Sequence, residues 1–295
     1  MKIVFLGSPG PATPTLRALV AAGHDVVGVV TQPDKRRGRG SELVATPVAK
    51  VARELGIPVW HDLSQVSTCG AELGVVVAYG KIIKSALLEQ VPMINVHFSL
   101  LPKWRGAAPV ERALLAGDEV TGVCIMGLEA GLDTGPIYAS ASTAIGTKSS
   151  LDLLAELADM GAALCVSVLA LGELPAPTPQ TGEPSYAAKL GPEDFVLEPE
   201  RSAVELERVI RLGRAFTYIN GQRVRIHAGE LTEWPAGTSG HVGFEGEVLL
   251  CCTSGVLRIH ELQAEGSRRM ASGDWWRGVR LTEPIRWGSG TLNLG

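Results

Sequence analysis

Long hydrophobic runs alternate with amphipathic stretches over the first half of the chain. The runs are continuous and rich in β-branched residues, which is typical of strands buried on both faces of a parallel sheet. They are KIVFLG (2–7), DVVGVVT (25–31), ELGVVVAYG (72–80) and MINVH (93–97). Apolar residues recur with helical spacing at 15–22, 47–56, 82–90 and 151–172. This alternation predicts an α/β fold with a Rossmann-like, doubly wound and mostly parallel sheet.

The pattern changes after this first half. Residues 173–195 are rich in proline, glycine and polar side chains, a composition typical of linkers. One amphipathic helix is predicted at 203–212, and short strands separated by glycine turns follow it. Strands at this spacing predict a small β-barrel. The domains are therefore predicted at 1–176 and 201–295, with a linker over 177–200.

Composition limits the classes of protein to consider. The 295 residues are 45% hydrophobic and 20% charged, as in an ordinary globular protein of about two domains. The net charge is −4, with 15 basic and 20 acidic side chains in residues 1–199 and 12 and 11 in residues 200–295. Neither part is a strongly basic nucleic-acid module, so any contact with nucleic acid must come from local clusters.

The five cysteines and the N-terminus indicate a cytoplasmic protein without a metal site. The cysteines are odd in number, include no CxxC pair, and are expected to be reduced core residues. No apolar run approaches the roughly 18 residues needed to cross a bilayer. The N-terminus carries no cleavage pattern of a signal peptide and is predicted as the first strand.

Two polar side chains stand at the end of a predicted buried strand, in INVHFSLLPKWRGAAP (94–109). Asn95 and His97 are two residues apart, so they project from the same face of the strand. Ligands of open parallel sheets bind beyond the carboxyl ends of the strands. An amide and an imidazole aimed at one point can donate hydrogen bonds to a carbonyl oxygen that gains negative charge. The alternative is that Asn95 caps a turn and His97 fills a pocket.

A carboxylate is the third candidate. Asp133 lies between two glycines in EAGLDTGPI (129–137). It could hold the imidazole of His97 in one tautomer or accept a proton from an attacking amine. By itself, however, it is more typical of a turn aspartate that bonds local backbone.

The glycine-rich and basic stretches are less specific. GSPGPA (7–12) lacks the third glycine of a dinucleotide-binding loop, and no Walker A motif is present, so a nucleotide cofactor is not expected. The loop QPDKRRGRGSEL (32–43) carries Lys35, Arg36, Arg37 and Arg39. Such a loop either contacts the phosphates of a polyanionic substrate or is simply a solvated surface loop.

These residues together resemble the 10-formyltetrahydrofolate-dependent formyltransferases. NVHFSLLPKWRGAAP and GLDTGP match the signature of that family, and the likeness also covers TQPD with GRG, VVVAYGKII, YAAKL, AVELERVIR and SRRMASGDWWRG. The resemblance implies that Asn95, His97 and Asp133 are catalytic. It further implies that Ser99, Leu100, Leu101 and Pro102 contact the folate, and that the pterin lies between residues 76–80 and the loop of Asp133.

The resemblance also indicates the second substrate. The RGAAP form, the basic loop and the appended C-terminal domain, OB-like in this family, indicate an enzyme that formylates initiator methionyl-tRNA. Nothing in the sequence demands an oligomer, so a monomer is expected. Lys35, Arg36, Arg37 and Arg39 are then expected to contact the tRNA. No metal is expected, and 10-formyltetrahydrofolate is the formyl donor.

Other substrates stay open because the chain departs from the family pattern. Ser41 and Glu42 stand where the family usually has basic residues, LGRAFT (212–217) replaces a Pro/Gly-rich stretch, and the stretch between Trp60 and Gly74 is short. An amino sugar or another small amine is therefore the alternative acceptor. A non-catalytic RNA- or folate-binding protein is the alternative of a different class.

Overall fold

The computed structural model describes residues 1–36, 43–170, 172–235, 237–279 and 285–289, and of Lys35 and Arg36 only the backbone. The chain divides into two compact units. Unit 1 comprises Met1–Arg112, Glu119–Ile145 and Asp152–Lys189, and unit 2 comprises Ala113–Asp118, Gly146–Leu151 and Leu190–Gly295. The segment 177–200, predicted as a linker, is thus divided between the units after Lys189.

The first 189 residues supply most of the α/β architecture. The strands are β1 (Lys2–Gly7), β2 (Asp25–Val30), β3 (Lys35–Arg36), β4 (Leu43–Val44), β5 (Val59–Trp60), β6 (Leu73–Val77), β7 (Met93–His97), β8 (Arg105–Gly106), β9 (Val120–Gly127), β10 (Ile137–Ala144) and β11 (Tyr186–Ala187). The α-helices are α1 (Thr13–Ala21), α2 (Pro47–Glu54), α3 (Ser85–Leu88), α4 (Pro109–Ala116) and α5 (Ser150–Leu169). A 3₁₀ helix, Gly10–Ala12, follows β1.

Seven of these strands form one sheet in the order β10-β9-β7-β6-β1-β2-β5. The neighbours from β7 to β5 are parallel, whereas β9 and β10 are antiparallel additions beside β7. The predicted α/β fold with a mostly parallel sheet is confirmed. The carboxyl ends of β6 and β7 lie side by side, because Val76 pairs with Asn95.

Local sequence explains where these elements begin and how closely they pack. The hydroxyl of Thr46 accepts a hydrogen bond from the backbone N–H of Ala49, and Pro47 occupies the first turn of α2. Gly161 allows α5 to approach β7, since a Cβ atom there would come within 2.6 Å of Val96 Cγ1. The helix therefore lies directly behind the strand that carries Asn95 and His97.

Unit 2 contains the second sheet. From Leu190 onward it contains a 3₁₀ helix, Pro192–Phe195, and the α-helices α6 (Ala203–Arg211) and α7 (Ser272–Gly278). Its strands are β12 (Phe216–Ile219), β13 (Gln222–Thr232), β14 (Val242–Glu245), β15 (Glu247–Cys251), β16 (Val256–Ala264) and β17 (Met270–Ala271). The order is β12-β13-β16-β15-β14, with β17 beside β16, and all pairs are antiparallel.

The two edges of this second sheet are joined by the segment 285–289. Trp287 pairs with Ile219 at the end of β12, and Arg286 pairs with His241 just before β14. Trp287 is buried in the core of the unit, and its indole N–H donates to the carbonyl of Cys251. This partly closed antiparallel arrangement confirms the predicted C-terminal β domain.

The cysteines are free, and four of the five are buried, as expected from the sequence. Burial raises the pKa of Cys165 and Cys252 to about 12, so these thiols stay protonated near neutral pH. Over the described residues, no helix has the length and apolar character to span a bilayer. The same part of the chain holds no cluster of three or more potential metal ligands.

Candidate active site

A cavity of about 650 Å³ opens in unit 1 at the carboxyl ends of β6 and β7. Leu88 of α3 and four segments line it: residues 76–83 at and after the end of β6, residues 95–98 at the end of β7, residues 106–109, and residues 128–133 after β9. Its volume is in the range of sites for small organic ligands. Asn95, His97 and Asp133 all line this one cavity, so the structure brings the three predicted catalytic residues together.

Asn95 supplies a side-chain amide with free hydrogen-bonding capacity. It is half-buried in β7, with Val76 on one side and Met126 on the other. Its side chain makes no hydrogen bond to any residue in the described ranges. An amide N–H group that faces a cavity and is not engaged elsewhere is available to a bound carbonyl oxygen.

His97 is buried, and one of its ring nitrogens is already engaged. Its Nε2 lies 3.0 Å from the backbone oxygen of Trp104. A carbonyl oxygen only accepts hydrogen bonds, so Nε2 carries the proton and donates it. In neutral His97 the other nitrogen, Nδ1, therefore presents a lone pair. It faces Asp133, with 3.8 Å between Nδ1 and Oδ2.

The surroundings of His97 favour this neutral form. Burial lowers the pKa of His97 below its usual value, and the nearby carboxylate of Asp133 and the hydrogen bond to Trp104 offset that effect only in part. The sequence led us to expect two hydrogen-bond donors at the end of β7. The structure instead places one donor there, Asn95, beside one proton acceptor, His97 Nδ1.

Asp133 is held by its backbone and by its carboxylate. Its φ angle of +50° lies in the left-handed region, which is uncommon for residues other than glycine. Its Oδ2 accepts a hydrogen bond of 2.8 Å from the backbone N–H of Gly106. The carboxylate is thereby fixed on the side of the cavity where His97 Nδ1 points.

The segment Ser99–Pro102, expected to contact folate, does not line the cavity. Ser99 is fully buried, and its hydroxyl donates to the backbone oxygen of Lys103 at 2.6 Å. Leu101 packs against Cys124 and Met126 of β9. The segment builds the turn that leads from β7 to Trp104, and its contact with folate stays a prediction.

Only two of the residues expected to bind tRNA lie within the described part of the chain. Lys35 and Arg36 form β3, which pairs with Leu43 and Val44 of β4. Arg37 and Arg39 lie outside the described residues, as do Ser41 and Glu42. The role of this basic loop stays a prediction.

Several features of the site could not be found from the sequence. Ile82 and Leu132, at two rims of the cavity, expose 92% and 60% of their surface. Such exposed apolar side chains are suited to cover an aromatic ligand. Gln180 bonds the backbone of the loop that carries Asp133, and Ser185 bonds Trp104. No motif marks either residue, since both lie in the stretch whose composition indicated a linker.

The arrangement has one clear chemical capacity. Asn95 can stabilise an oxygen that becomes negatively charged, and the pair His97 Nδ1 and Asp133 Oδ2 can take up a proton beside it. A nucleophile that loses a proton as it attacks a carbonyl carbon needs both functions within a few ångströms.

Family models match nearly the whole chain. The model described as "Formyl transferase" matches residues 1–169, and the model described as "Formyl transferase, C-terminal domain" matches residues 189–280. The two matches coincide with the two kinds of sheet described above.

Individual relatives agree with the family models. A methionyl-tRNA formyltransferase of Cereibacter sphaeroides is 42% identical, with 97% of this chain and 99% of the relative covered. One from Novosphingobium aromaticivorans is 41% identical, with 98% and 100% covered. Among solved structures, an N-formyltransferase from Helicobacter canadensis in complex with folinic acid and dTDP-3-aminofucose has the same fold, with a TM-score of 0.70, 19% identity, and coverage of 92% and 100%.

Proposed function

This chain belongs to the formyl transferase family, and we propose that it transfers the formyl group of 10-formyltetrahydrofolate to the α-amino group of initiator methionyl-tRNA. The observation that carries the proposal is the convergence of Asn95, His97 and Asp133 on one cavity. Relatives about 40% identical over almost their full length are methionyl-tRNA formyltransferases, which supports this acceptor.

The reaction begins with a neutral amine. An ordinary α-amino group has a pKa of about 8, so a usable fraction is unprotonated near neutral pH. Its nitrogen attacks the formyl carbon, and the carbonyl oxygen becomes negative in the tetrahedral intermediate. Asn95 stabilises that oxygen by donating a hydrogen bond.

His97 and Asp133 accept the proton that the amine loses. The attacking nitrogen becomes positively charged and releases a proton to Nδ1 of His97, whose imidazolium is stabilised by the carboxylate of Asp133. The bond between the formyl carbon and N10 of the folate then breaks, and N10 receives the proton. His97 becomes a hydrogen-bond donor toward the cavity only after it has taken up that proton.

The cavity suits the folate in size and chemistry. Its walls combine apolar residues such as Tyr79, Ile83 and Leu128 with the polar groups at the end of β7. The exposed side chains of Ile82 and Leu132 would cover the aromatic parts of the cosubstrate. This assignment retains the predicted pterin position between residues 76–80 and the loop of Asp133, and a contact of the folate with Ser99–Pro102 stays part of the proposal.

Unit 2 offers a surface suited to RNA. A cavity of about 450 Å³ in this unit is lined by Arg214, Arg223 and Arg225. None of the three has a carboxylate within ion-pair distance among the described residues. Arg214 stacks on Phe195 and Arg223 on Phe216, with 4.3 Å and 4.1 Å from Cζ to the ring centroid. Arg225 donates a hydrogen bond of 3.1 Å to the backbone oxygen of Gly213. The guanidinium groups of Arg214 and Arg223, held by aromatic rings, are well placed for phosphate contacts.

The remaining parts of the proposal follow from this role. We propose that Lys35, Arg36, Arg37 and Arg39 also contact the tRNA. We further propose that the protein acts as a monomer in the cytoplasm, where translation begins.

A labelled transfer assay tests the proposed function. Purified protein is incubated with 10-formyltetrahydrofolate that carries a labelled formyl group, and with either charged initiator tRNA or a panel of small amines that includes amino sugar nucleotides. Label on the methionyl-tRNA alone is the expected result. Label on a small amine would identify the alternative acceptor, and label on no amine would favour a non-catalytic binding protein.

A further inference from the structure

A mostly exposed segment of unit 1 contacts both loops that carry the catalytic groups. We call residues 178–187 the brace. At one end, Thr178 and Ile137 exchange two backbone hydrogen bonds of 2.8 Å, just beyond the loop of Asp133. At the other end, β11 pairs with β8 in the loop that follows His97. The brace therefore joins two loops that are separate in the sequence.

Gln180 connects the brace to Asp133. Its side-chain Nε2 donates to the backbone oxygens of Asp133 and Gly135, each at 2.8 Å. Its Oε1 accepts hydrogen bonds from Nη2 and Nε of Arg105, at 2.7 Å and 3.2 Å. Because carbonyls only accept and guanidinium groups only donate, the amide has one possible orientation. Gln180 thus fixes the backbone of Asp133 where it adopts its left-handed conformation.

Ser185 connects the brace to His97 through one residue. Its Oγ accepts a hydrogen bond of 2.9 Å from the backbone N–H of Trp104, which also has a positive φ angle, +62°. The carbonyl of Trp104 in turn accepts the proton of His97 Nε2. Ser185 therefore holds the residue whose carbonyl decides which ring nitrogen of His97 is protonated.

The burial pattern of the brace supports a specific role. Its other side chains are exposed, except that of the small Ala187, whereas Gln180 and Ser185 turn inward. Neither side chain lies in the hydrophobic core or on the cavity wall. What they share is a hydrogen bond to a loop that presents a catalytic group.

We propose that Gln180 and Ser185 are positioning residues for formyl transfer, Gln180 acting through Asp133 and Ser185 through Trp104 and His97. The inference rests on the proposed function, since it concerns the same site. Small displacements of a catalytic group reduce the rate steeply, and a shift of about 1 Å can cost about 10²-fold.

The test compares four variants with one control. Gln180→Glu keeps the acceptor for Arg105 but removes the donors to Asp133 and Gly135, and Gln180→Ala removes both. Ser185→Ala removes the acceptor for Trp104, whereas Ser185→Thr keeps it. The control is Thr181→Ala, an exposed neighbour that forms no hydrogen bond within the described part of the chain.

We expect kcat to fall about 10-fold to 100-fold in Gln180→Glu, Gln180→Ala and Ser185→Ala, with the KM for folate within about twofold of the control. In Ser185→Thr, which keeps the acceptor, kcat should stay close to that of the control. The pH dependence of kcat should move in the three impaired variants, because the environment of His97 and Asp133 changes. Values of kcat and pH profiles equal to those of Thr181→Ala would overturn the proposal.

A measurement without substrate separates this inference from the proposed function. The ring ¹⁵N chemical shifts of His97, identified by their absence in His97→Gln, report the tautomer. We expect the Nε2–H form in the native chain and in Ser185→Thr, and a mixture of tautomers in Ser185→Ala. Unchanged shifts in Ser185→Ala would refute the role of Ser185, whether or not the native chain transfers formyl groups.

Discussion

At the scale of single residues, the chemistry depends on the different partners of the two ring nitrogens of His97. Nε2 is bound to the backbone of Trp104, and Nδ1 faces the carboxylate of Asp133. A neutral ring in this setting is a base, and Asn95 is the hydrogen-bond donor beside it. In the proposed reaction, Asn95 therefore stabilises the carbonyl oxygen, and His97 and Asp133 take up the proton of the amine.

The lowered pKa of His97 has a consequence for stability. In the unfolded chain His97 titrates near its ordinary pKa of about 6.5, whereas burial lowers the pKa in the folded chain. As the pH falls through about 6.5, His97 takes up a proton in the unfolded chain at a higher pH than in the folded chain, so acidification favours unfolding. We expect the free energy of unfolding to decline between about pH 7.5 and about pH 5.5, and to decline less in His97→Gln, by urea titration at each pH.

The comparison with His97→Gln isolates one group among several that titrate in this range. Burial also lowers the pKa of His24. Because His24 is present in both proteins, its contribution cancels in the comparison. Equal slopes of stability against pH in the two proteins would show that His97 is not neutral and buried in the way described.

The sequence was sufficient to find Asn95 and His97 as candidates, because two polar residues at alternate positions of a buried strand share a face. Asp133 gained its assigned role from the resemblance of GLDTGP to the family signature. It could not show the protonation of His97, which depends on a carbonyl seven residues later, on Trp104. Nor could it find Gln180 or Ser185, since their partners lie about 45 and 81 residues away in sequence.

At the scale of elements, the position of the catalytic strand depends on the helix behind it. The missing side chain of Gly161 lets α5 lie against Val96, between Asn95 and His97, the two residues of β7 that we propose to be catalytic. Valine is stiff at χ1, so it cannot easily move away from an added methyl group. The close packing of α5 and β7 thus keeps Asn95 and His97 at the edge of the cavity.

Replacement of Gly161 by alanine tests this packing. Alanine improves helix propensity by about 1 kcal/mol, but overpacking costs about 1–3 kcal/mol. We expect a net loss of about 1 kcal/mol in the free energy of unfolding, measured with urea, and a lower rate of formyl transfer. The control Ala163→Ser, on the exposed side of the same helix, should stay close to the native chain. Stabilisation by Gly161→Ala would show that the helix is not in tight contact with β7.

The local sequence predicted some strands and helices better than others. Continuous β-branched runs predicted β1, β2, β6 and β7, and Pro47 marked the start of α2. The strand β10 was not predicted, because Ile137–Ala144 alternates small and polar residues at the edge of the sheet. The helix α3 has only four residues, although helical spacing extends over 82–90. Edge strands and short helices depend on neighbours that a local pattern does not contain.

At the scale of the whole molecule, each unit has its own kind of surface for a substrate. Unit 1 carries the partly apolar cavity that we assign to the folate, and unit 2 carries the cavity lined by three arginines. Arg214 belongs to LGRAFT, the stretch in which this chain departs from the usual family pattern. The surface that we assign to RNA therefore includes a residue of this stretch.

Removal of the positive charges that line this cavity should weaken tRNA binding and leave folate binding unchanged. We expect the variant with Arg214, Arg223 and Arg225 replaced by glutamine to bind initiator tRNA more weakly. The slope of log K against log salt should become shallower by up to about 1 for each phosphate that an arginine no longer neutralises. Filter binding at several salt concentrations measures both.

A control of equal charge identifies the cause of any change. Arg258, Arg269 and Arg277 are also in unit 2, but each is paired with a carboxylate, of Glu245, Glu261 and Asp274. Their replacement by glutamine removes the same number of charges from outside the cavity. Equal reductions of affinity in both triple variants would mean that total charge, and not this cavity, holds the tRNA.

The role of the catalytic strand is tested most directly by the single-turnover rate of formyl transfer to methionyl-tRNA in Asn95→Ala, with both substrates saturating and folding checked by urea titration. Removal of the hydrogen bond to the developing oxyanion predicts a rate about 10²–10³-fold below that of the native chain. A rate within about threefold of the native value, in a folded variant, would contradict the claim that the end of β7 stabilises the transition state.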